Sequence, residues 1–441
     1  MRKIYKITEY SSFFPVKQSD DQQIDKKQIK GLVPLPEHTF NALEAFVLTN
    51  RNKETNPLDL LGLSAKKGIG KIITAKNYVG VITMIDGTTI EILPKLFPNE
   101  TEALVKRLLI DMLKSLRDSP YKSLNLSNVN IERMSIFEVF IRMFVDEVLF
   151  IEKRSLKSGY QTIQSNESVF KGKLKVSDHI KYNYAHQERS YVEYDEFNTN
   201  RPENRLIKTT LLKLYRMSQS SKNRRDIKKM LNSFSEISES TDINGDFDKY
   251  VPDRNMKDYT TALMWCRVFL QNKSFSAFSG SEVAFALLFS METLFESYIA
   301  QKLRLYLNPK DYTISSQDRS YHLFDYPRQF LIKPDIVVSR KKDGAVFVLD
   351  TKWKLLSPAK ANYGISQADM YQMYAYQKKY QSENVTLIYP ATDTLSKEKK
   401  IQFLSKDGVA VLVRFVVLFN LKESLSSIMK NFEKTEGTGN V

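Results

Sequence analysis

The sequence has a single cysteine, Cys266, so no internal disulfide can form, and such a chain fits a reducing compartment. Long apolar runs are also missing. The longest, VAVLVRFVVLF over 409–419, falls short of the roughly 20 residues a membrane span needs and contains Arg414. The opening stretch MRKIYKITEYSSFFPVKQ has neither a continuous apolar segment nor a small-residue cleavage site, so no secretory signal is expected. These absences predict a soluble, cytoplasmic protein with no membrane association. Histidine is scarce: His38, His179, His186 and His322 lack metal-ligand spacing or a neighbouring nucleophile and read as structural or surface residues. A complete phosphate-binding loop is missing too. GIGKI at 68–72 tempts comparison with G-x-x-x-x-G-K-[ST], but Ala65 stands where the first glycine is required and Ile72 where the hydroxyl is, so any nucleotide-driven motor must come from another chain.

Negative charge is the last deficit. Asp and Glu number 51 against 66 Lys and Arg, a formal charge of +15, which favours a polyanionic partner because neutralising phosphates releases condensed counterions. What is present is ample apolar material in a chain of 441 residues, too long for one ordinary domain.

Periodicity divides the chain. YVGVITMIDGTTIEILPKL (78–96) reads as a hairpin with Asp86-Gly87 at its turn, and KQSDDQQIDKKQIKG before it as an exposed loop. Residues 1–120 are therefore expected to form a small β-rich domain with one or two helices. From 121 to 280 the pattern is mainly helical: SIFEVFIRMFVDEVLFIEKR places Phe137, Phe140, Ile141, Phe144, Val148 and Leu149 on one face, and ENRLIKTTLLKLYRMS is a second such helix. A third long helix is expected over 281–307. Hairpin, helix and two strands follow it to about 425, an order that predicts a mixed sheet flanked by helices; 426–441 reads as a flexible tail. The fold class is thus multidomain α/β (α+β).

The informative stretch is IKPDIVVSRKKDGAVFVLDTKWK (332–354), where Asp335, Asp350 and Lys352 interrupt apolar strands. Side chains alternate along a strand, so Asp350 and Lys352 share a face. A turn centred on Lys342-Asp343 sets Asp335 opposite Asp350; one centred on Asp343-Gly344 sets it opposite Lys352. Either register gathers the three charges on one side. Two neighbouring carboxylates repel unless a cation lies between them, and oxygen ligands of this kind suit Mg²⁺, with Mn²⁺ the alternative. A lysine beside such a site can orient water and stabilise developing negative charge. Phosphodiester hydrolysis needs that set.

Pro334-Asp335 … Asp350-Thr351-Lys352 resembles the PD-(D/E)xK nuclease signature, and Gln372 and Tyr376, four apart in ADMYQMYAYQKKY, match the branch with a downstream Gln and Tyr. Glu296 in LFESYIAQKL occupies the upstream position where that superfamily often has an acid. More narrowly, YVGVITMIDGTTIEILPK, FKGKL with YDEFNTNRPENRLIK, and LDTKWK with the Gln-Tyr helix resemble the McrC family, the nuclease subunits of McrBC-type, 5-methylcytosine-directed restriction systems and their LlaJI-like relatives. The resemblance implies a Mg²⁺-dependent double-stranded DNA endonuclease with a restriction-endonuclease-like domain over 281–425. It implies an AAA+ GTPase (McrB-like) partner bound through the N-terminal domain. By the same carry-over, Asp335, Asp350, the Thr351 carbonyl and Glu296 bind the metal, Lys352 positions water, and Gln372 and Tyr376 orient a phosphate or the lysine. The charged stretch Asp195-Glu196 … Glu203-Asn204-Arg205 reads first as a structural cap with local pairs. Two alternatives stay open: a self-sufficient nuclease, and a non-catalytic adaptor that activates the GTPase.

Overall fold

The computed structural model describes residues 3–16, 31–49, 60–84, 87–95, 100–116, 120, 134–250, 256–271 and 284–433. Among these, the residues before 121 and after 283 form one compact unit, and those of 134–271 form another.

The first unit opens with β1 (Ile4–Thr8), β2 (Ser12–Val16), β3 (Leu32–Pro36), α1 (Glu37–Thr49), β4 (Leu61–Lys66), β5 (Gly70–Ala75), β6 (Tyr78–Met84), β7 (Thr89–Leu93) and α2 (Glu102–Lys114). Strands β2 to β5 make one sheet in the order β3-β2-β5-β4. GIGKI is the β4–β5 turn and the start of β5, where Lys71 pairs with Glu44 at 2.8 Å. The expected β6–β7 hairpin is present, with Gly87 in the left-handed region (φ +82°) and its amide donating to the Met84 carbonyl at 2.9 Å. Asp86 and the polar loop at 17–30 lie outside the described residues.

The second unit contains α3 (Ile136–Lys153), β8 (Gly159–Glu167), β9 (Lys173–Leu174), α4 (Val176–Asn183), β10 (Ser190–Asn198), α5 (Pro202–Met217), α6 (Ser221–Ser233), α7 (Ile243–Asp248) and α8 (Lys257–Gln271). Its core lies where the apolar face of α3 meets α8, with Phe140 6.0 Å from Trp265 and Phe144 6.0 Å from Phe269, centroid to centroid. Strands β8, β10 and β9 form a separate antiparallel sheet beside α4, and this lobe leaves Tyr160, Phe170, Ile180, Tyr184 and Phe197 exposed. The charged stretch before α5 is internal structure: buried Asn204 donates to the carbonyls of Lys157 and Thr199 and accepts from Tyr259 Oη, while Arg205 pairs with Asp246. Asn204 fastens the loop and caps no helix.

The first unit resumes with β11 (Ala284–Ser290), α9 (Met291–Tyr306), β12 (Tyr312–Ser316), β13 (His322–Asp325), β14 (Arg328–Leu331), β15 (Ile336–Arg340), β16 (Val346–Thr351), α10 (Gln367–Tyr380), β17 (Asn384–Pro390), β18 (Ile401–Leu404), β19 (Ala410–Val416) and α11 (Leu421–Glu433). The helix expected over 281–307 is therefore a strand followed by a helix. An apolar run such as AFALLF fits either by periodicity, and pairing decides: β11 lies antiparallel to β6, completing the sheet β1-β7-β6-β11. Gly80 permits that approach, since a Cβ there would sit 2.0 Å from the Leu287 carbonyl oxygen.

The remaining strands build a six-stranded mixed sheet, β12-β15-β16-β17-β19-β18, with β16, β17 and β19 parallel. Alternation divides its faces. Val337, Val348, Leu387 and Val413 pack against Met373, Tyr376 and Tyr380 of α10, while Phe347 meets Phe432 of α11 at 4.9 Å. Buried Leu425, Ile428 and Phe432 recur at helical spacing, so the described part of the expected 426–441 tail is helix. No helix among the described residues is long and apolar enough to cross a membrane.

Candidate active site

The β15–β16 register pairs Ile336 with Leu349 and Val338 with Phe347, so its continuation sets Asp335 opposite Asp350. A four-residue loop closes the hairpin: Arg340 and Ala345 are the last bonded pair, and Gly344 takes the left-handed conformation (φ +74°). Asp343 is held by the Arg340 guanidinium and accepts from the Ala345 amide. Of the two registers open from sequence, this is the one centred on Lys342-Asp343.

Asp350, Thr351 and Lys352 lie at the carboxyl end of β16, next to the neighbouring parallel strand β17, and the Lys352 amide donates to the Ile388 carbonyl at 2.9 Å. Asp350 is 1% exposed. Its Oδ2 is 2.6 Å from Lys352 Nζ. The ammonium also reaches Gln372 Oε1 at 3.4 Å, and Gln372 Nε2 donates to the buried Tyr376 hydroxyl at 2.6 Å. Helical spacing of four puts those two side chains on one face of α10. Asp335 is anchored separately, its Oδ2 accepting from both the amide and the hydroxyl of Thr351 at 2.7 Å. Glu296 projects from α9 and accepts from Gln317 Nε2, and the Gln317 amide donates to the Asp335 carbonyl at 2.8 Å. All seven residues singled out from the sequence belong to this one network.

Electrostatics shows a surplus of negative charge. Burial, reinforced by the charge of Asp335, pushes the carboxyls of Asp350 and Glu296 up to about 7. Asp335 is also raised by burial, against the lowering effect of the Thr351 bonds. Burial opposes the Lys352 ammonium, but Asp350 and Asp335 outweigh it and hold the lysine above its ordinary value. One lysine does not neutralise three acids. Among the described residues, no three His, Cys, Asp or Glu side chains converge as a ready-made metal cage. The donors are all oxygen and the carboxylates are underneutralised, which fits a hard divalent cation that takes one or two carboxylates and completes its shell from water and phosphate.

Gln317 was not foreseen. It sits just after β12 with φ +53°, joining Glu296 to the Asp335 backbone. A lone glutamine in SSQD gives no periodic or motif signal. Trp353 was also passed over: it alternates to the opposite face from Lys352, stacks edge-on with Phe295 at 5.4 Å and donates to buried Glu9 at 2.8 Å. The histidines stand apart from the site network: His179 bonds Asn183, His186 contacts Glu188, and His322 accepts from Arg328.

Sheet and side chains together define a multidomain α/β protein with a carboxylate–lysine site at the end of a central strand. The chain belongs to the McrBC family: the model described as McrBC 5-methylcytosine restriction system component matches residues 73–390. A chain of the half-complex from the tetradecameric assembly of Thermococcus gammatolerans McrB AAA+ hexamers with bound McrC shares the fold, with a TM-score of 0.66 at 18% identity over 97% of this chain and 100% of that one. A chain of the cryo-EM structure of the Thermococcus gammatolerans McrBC complex gives 0.44 at 19% identity, over 69% and 88% respectively. Among curated proteins, none matches the sequence.

Proposed function

We propose that this chain is the nuclease subunit of a restriction system, hydrolysing DNA phosphodiester bonds with Mg²⁺ or Mn²⁺ in a PD-(D/E)xK site. One observation carries the reading: Lys352 is held between Asp350 and Gln372, while Asp335, across the hairpin, is fixed by Thr351. Asp335 and Asp350 would hold the cation, assisted by the Thr351 carbonyl and, from α9, Glu296. When bound, the cation supplies Lewis acidity at a phosphate oxygen and lowers the pKa of coordinated water. Lys352 orients the attacking water and donates to the oxygen on which charge develops. Gln372 fixes the lysine, and the Tyr376 hydroxyl fixes Gln372. The excess of 15 positive charges favours DNA approach at low salt.

Bound McrC in McrB AAA+ hexamers, as in the Thermococcus structure, supports an AAA+ GTPase partner for this chain. Residues 1–120 remain the contact implied by the resemblance. We add the exposed aromatic lobe of β8, β10 and α4, because soluble chains seldom expose this much apolar surface without a partner.

Asp350→Ala tests the assignment. Cleavage should disappear while folding and stimulation of the partner's GTPase persist. Retained cleavage would remove Asp350 from the reaction, and loss of folding would assign it a structural role.

A further inference from the structure

Strands β13 and β14 form a two-stranded hairpin outside the six-stranded sheet. Every β14 residue is exposed, as are Leu323, Phe324 and Asp325 of β13, and the connecting Tyr326 is 100% exposed. Phe324 and Phe330 pack edge-on at 5.8 Å yet remain 54% and 67% exposed. An isolated hairpin is marginal in water, and nothing about folding rewards bare aromatics at its tip. Its attachment is at the base and along one side: the Ile332 amide donates to the Tyr321 carbonyl at 3.1 Å, Tyr321 packs on Tyr380 at 4.6 Å, and Asp325 pairs with Lys379 at 2.7 Å.

Those anchors locate it. Lys379 lies seven residues beyond Gln372 on α10, two turns or about 10 Å along the same face. Tyr380 likewise follows Tyr376 by one turn. The row that begins with the site's own Gln372 and Tyr376 thus ends under the hairpin. Chain length gives the same result, since Tyr326 precedes Asp335 by nine residues and an extended chain of that length spans at most about 30 Å. Measured along a duplex at about 3.4 Å per base pair, the tip falls within roughly nine base pairs of a bond held at Asp335.

The charges favour DNA over protein. Asp325 is paired with Lys379, and Asp318 accepts from Tyr380 and Ser315, so both acids near the hairpin are engaged by the protein. Arg319, Arg328 and Lys333 are exposed around it. A two-stranded ribbon fits the major groove, and aromatic side chains stack on any base without sequence preference.

We propose that this hairpin is a DNA-binding element that enters a groove beside the scissile bond and sets Tyr326 against the bases. It rests on the nuclease reading for its location, but its test is a binding measurement. A fluorescein-labelled DNA duplex is titrated with full-length protein in Ca²⁺, alone and with the AAA+ partner and a non-hydrolysable GTP analogue. Tyr326 makes no buried contact, so Tyr326→Ala should unfold at the wild-type temperature. Expected are a roughly tenfold weaker affinity for Tyr326→Ala, recovery in Tyr326→Phe, and for Arg328→Ala a salt dependence reduced by about one counterion. Wild-type affinity in Tyr326→Ala overturns the proposal, as does the absence of wild-type duplex binding in both settings. So does a variant that binds DNA normally but fails to assemble with the partner, which would make the hairpin a protein contact. Mg²⁺ cleavage by wild type and Lys352→Ala, run alongside, separates the two readings: an affinity loss without any cleavage sinks the nuclease and leaves the hairpin standing.

Discussion

Trp353 donates its indole N–H to Glu9 Oε1 at 2.8 Å, joining the turn after β1 to the residue that follows Lys352. The Lys95 amide donates to the same oxygen at 2.9 Å, while Oε2 is buried with no hydrogen-bond partner among the described residues. Burial accordingly pushes the Glu9 carboxyl up to about 7. A raised acid stabilises the fold fully below its unfolded value near 4.5, and this contribution is lost as pH rises through 7. Glu9→Gln keeps an acceptor for Trp353 and removes the titration. Denaturant unfolding at pH 5 and pH 8 should show the variant gaining on wild type by about 3 kcal/mol at the higher pH. An equal difference at both pH values would mean that Glu9 is ionised throughout.

Glu9→Ala differs in kind, because it strips the indole of its acceptor. A buried N–H left without a partner costs about 1–3 kcal/mol. Trp353 also packs on Phe295, next to Glu296, so the shift should reach both sides of the site. Single-turnover cleavage should slow, and Glu9→Gln should restore it. Unchanged cleavage in a destabilised Glu9→Ala protein would confine Glu9 to folding.

Gln372→Leu separates positioning from binding. It removes the 3.4 Å contact to Lys352 and the bond to Tyr376 while keeping the bulk of the side chain. Turnover should fall roughly 10- to 100-fold with little change in DNA affinity. A fall in affinity at unchanged turnover would make Gln372 a substrate contact.

Metal linkage should depend on pH. Glu296 and Asp350 are raised to about 7, so without metal the folded chain retains protons the unfolded chain has released, and stability declines from about pH 4 towards 7. A divalent cation requires the ionised forms. Mg²⁺ at a hundred times its dissociation constant should stabilise by about 2.7 kcal/mol. Thermal unfolding should show a larger Mg²⁺ effect at pH 8 than at pH 6, and little in Asp350→Asn. An effect of equal size in that variant would move the cation elsewhere.

The lobe exposed on the second unit gives a partner test. Tyr184→Glu puts a charge on one of its most exposed aromatic positions and should weaken assembly with the AAA+ subunit while leaving thermal stability within about 0.5 kcal/mol. Assembly at wild-type strength would return the contact to residues 1–120.

The strongest periodic signals in the sequence were those the fold uses directly. Helix α3 was legible because five aromatic and aliphatic residues recur on one face, and the β15–β16 hairpin because charges interrupt apolar strands. The register was not decided by the favoured Asp343-Gly344 dipeptide: Arg340 captures Asp343, and a four-residue loop forms with Gly344 at its left-handed position. Strand β11 was unreadable alone, since seven apolar and small residues become a strand only when β6 is there to pair with. The β13–β14 hairpin was hidden for the opposite reason. Its aromatic residues face solvent, where a reading based on buried periodicity does not look. Within the site, strand alternation and helical spacing were enough to group Asp335, Asp350, Lys352, Gln372 and Tyr376, whereas Gln317 and Glu9 arrive through tertiary contacts with no local pattern.

Plasmid DNA incubated with Mg²⁺ and the purified chain, with and without its AAA+ partner and GTP, and with Lys352→Ala in parallel, addresses the central claim most directly. The expected result is double-strand cleavage that requires partner, GTP and Lys352 together. Cleavage by Lys352→Ala at the wild-type rate would contradict it.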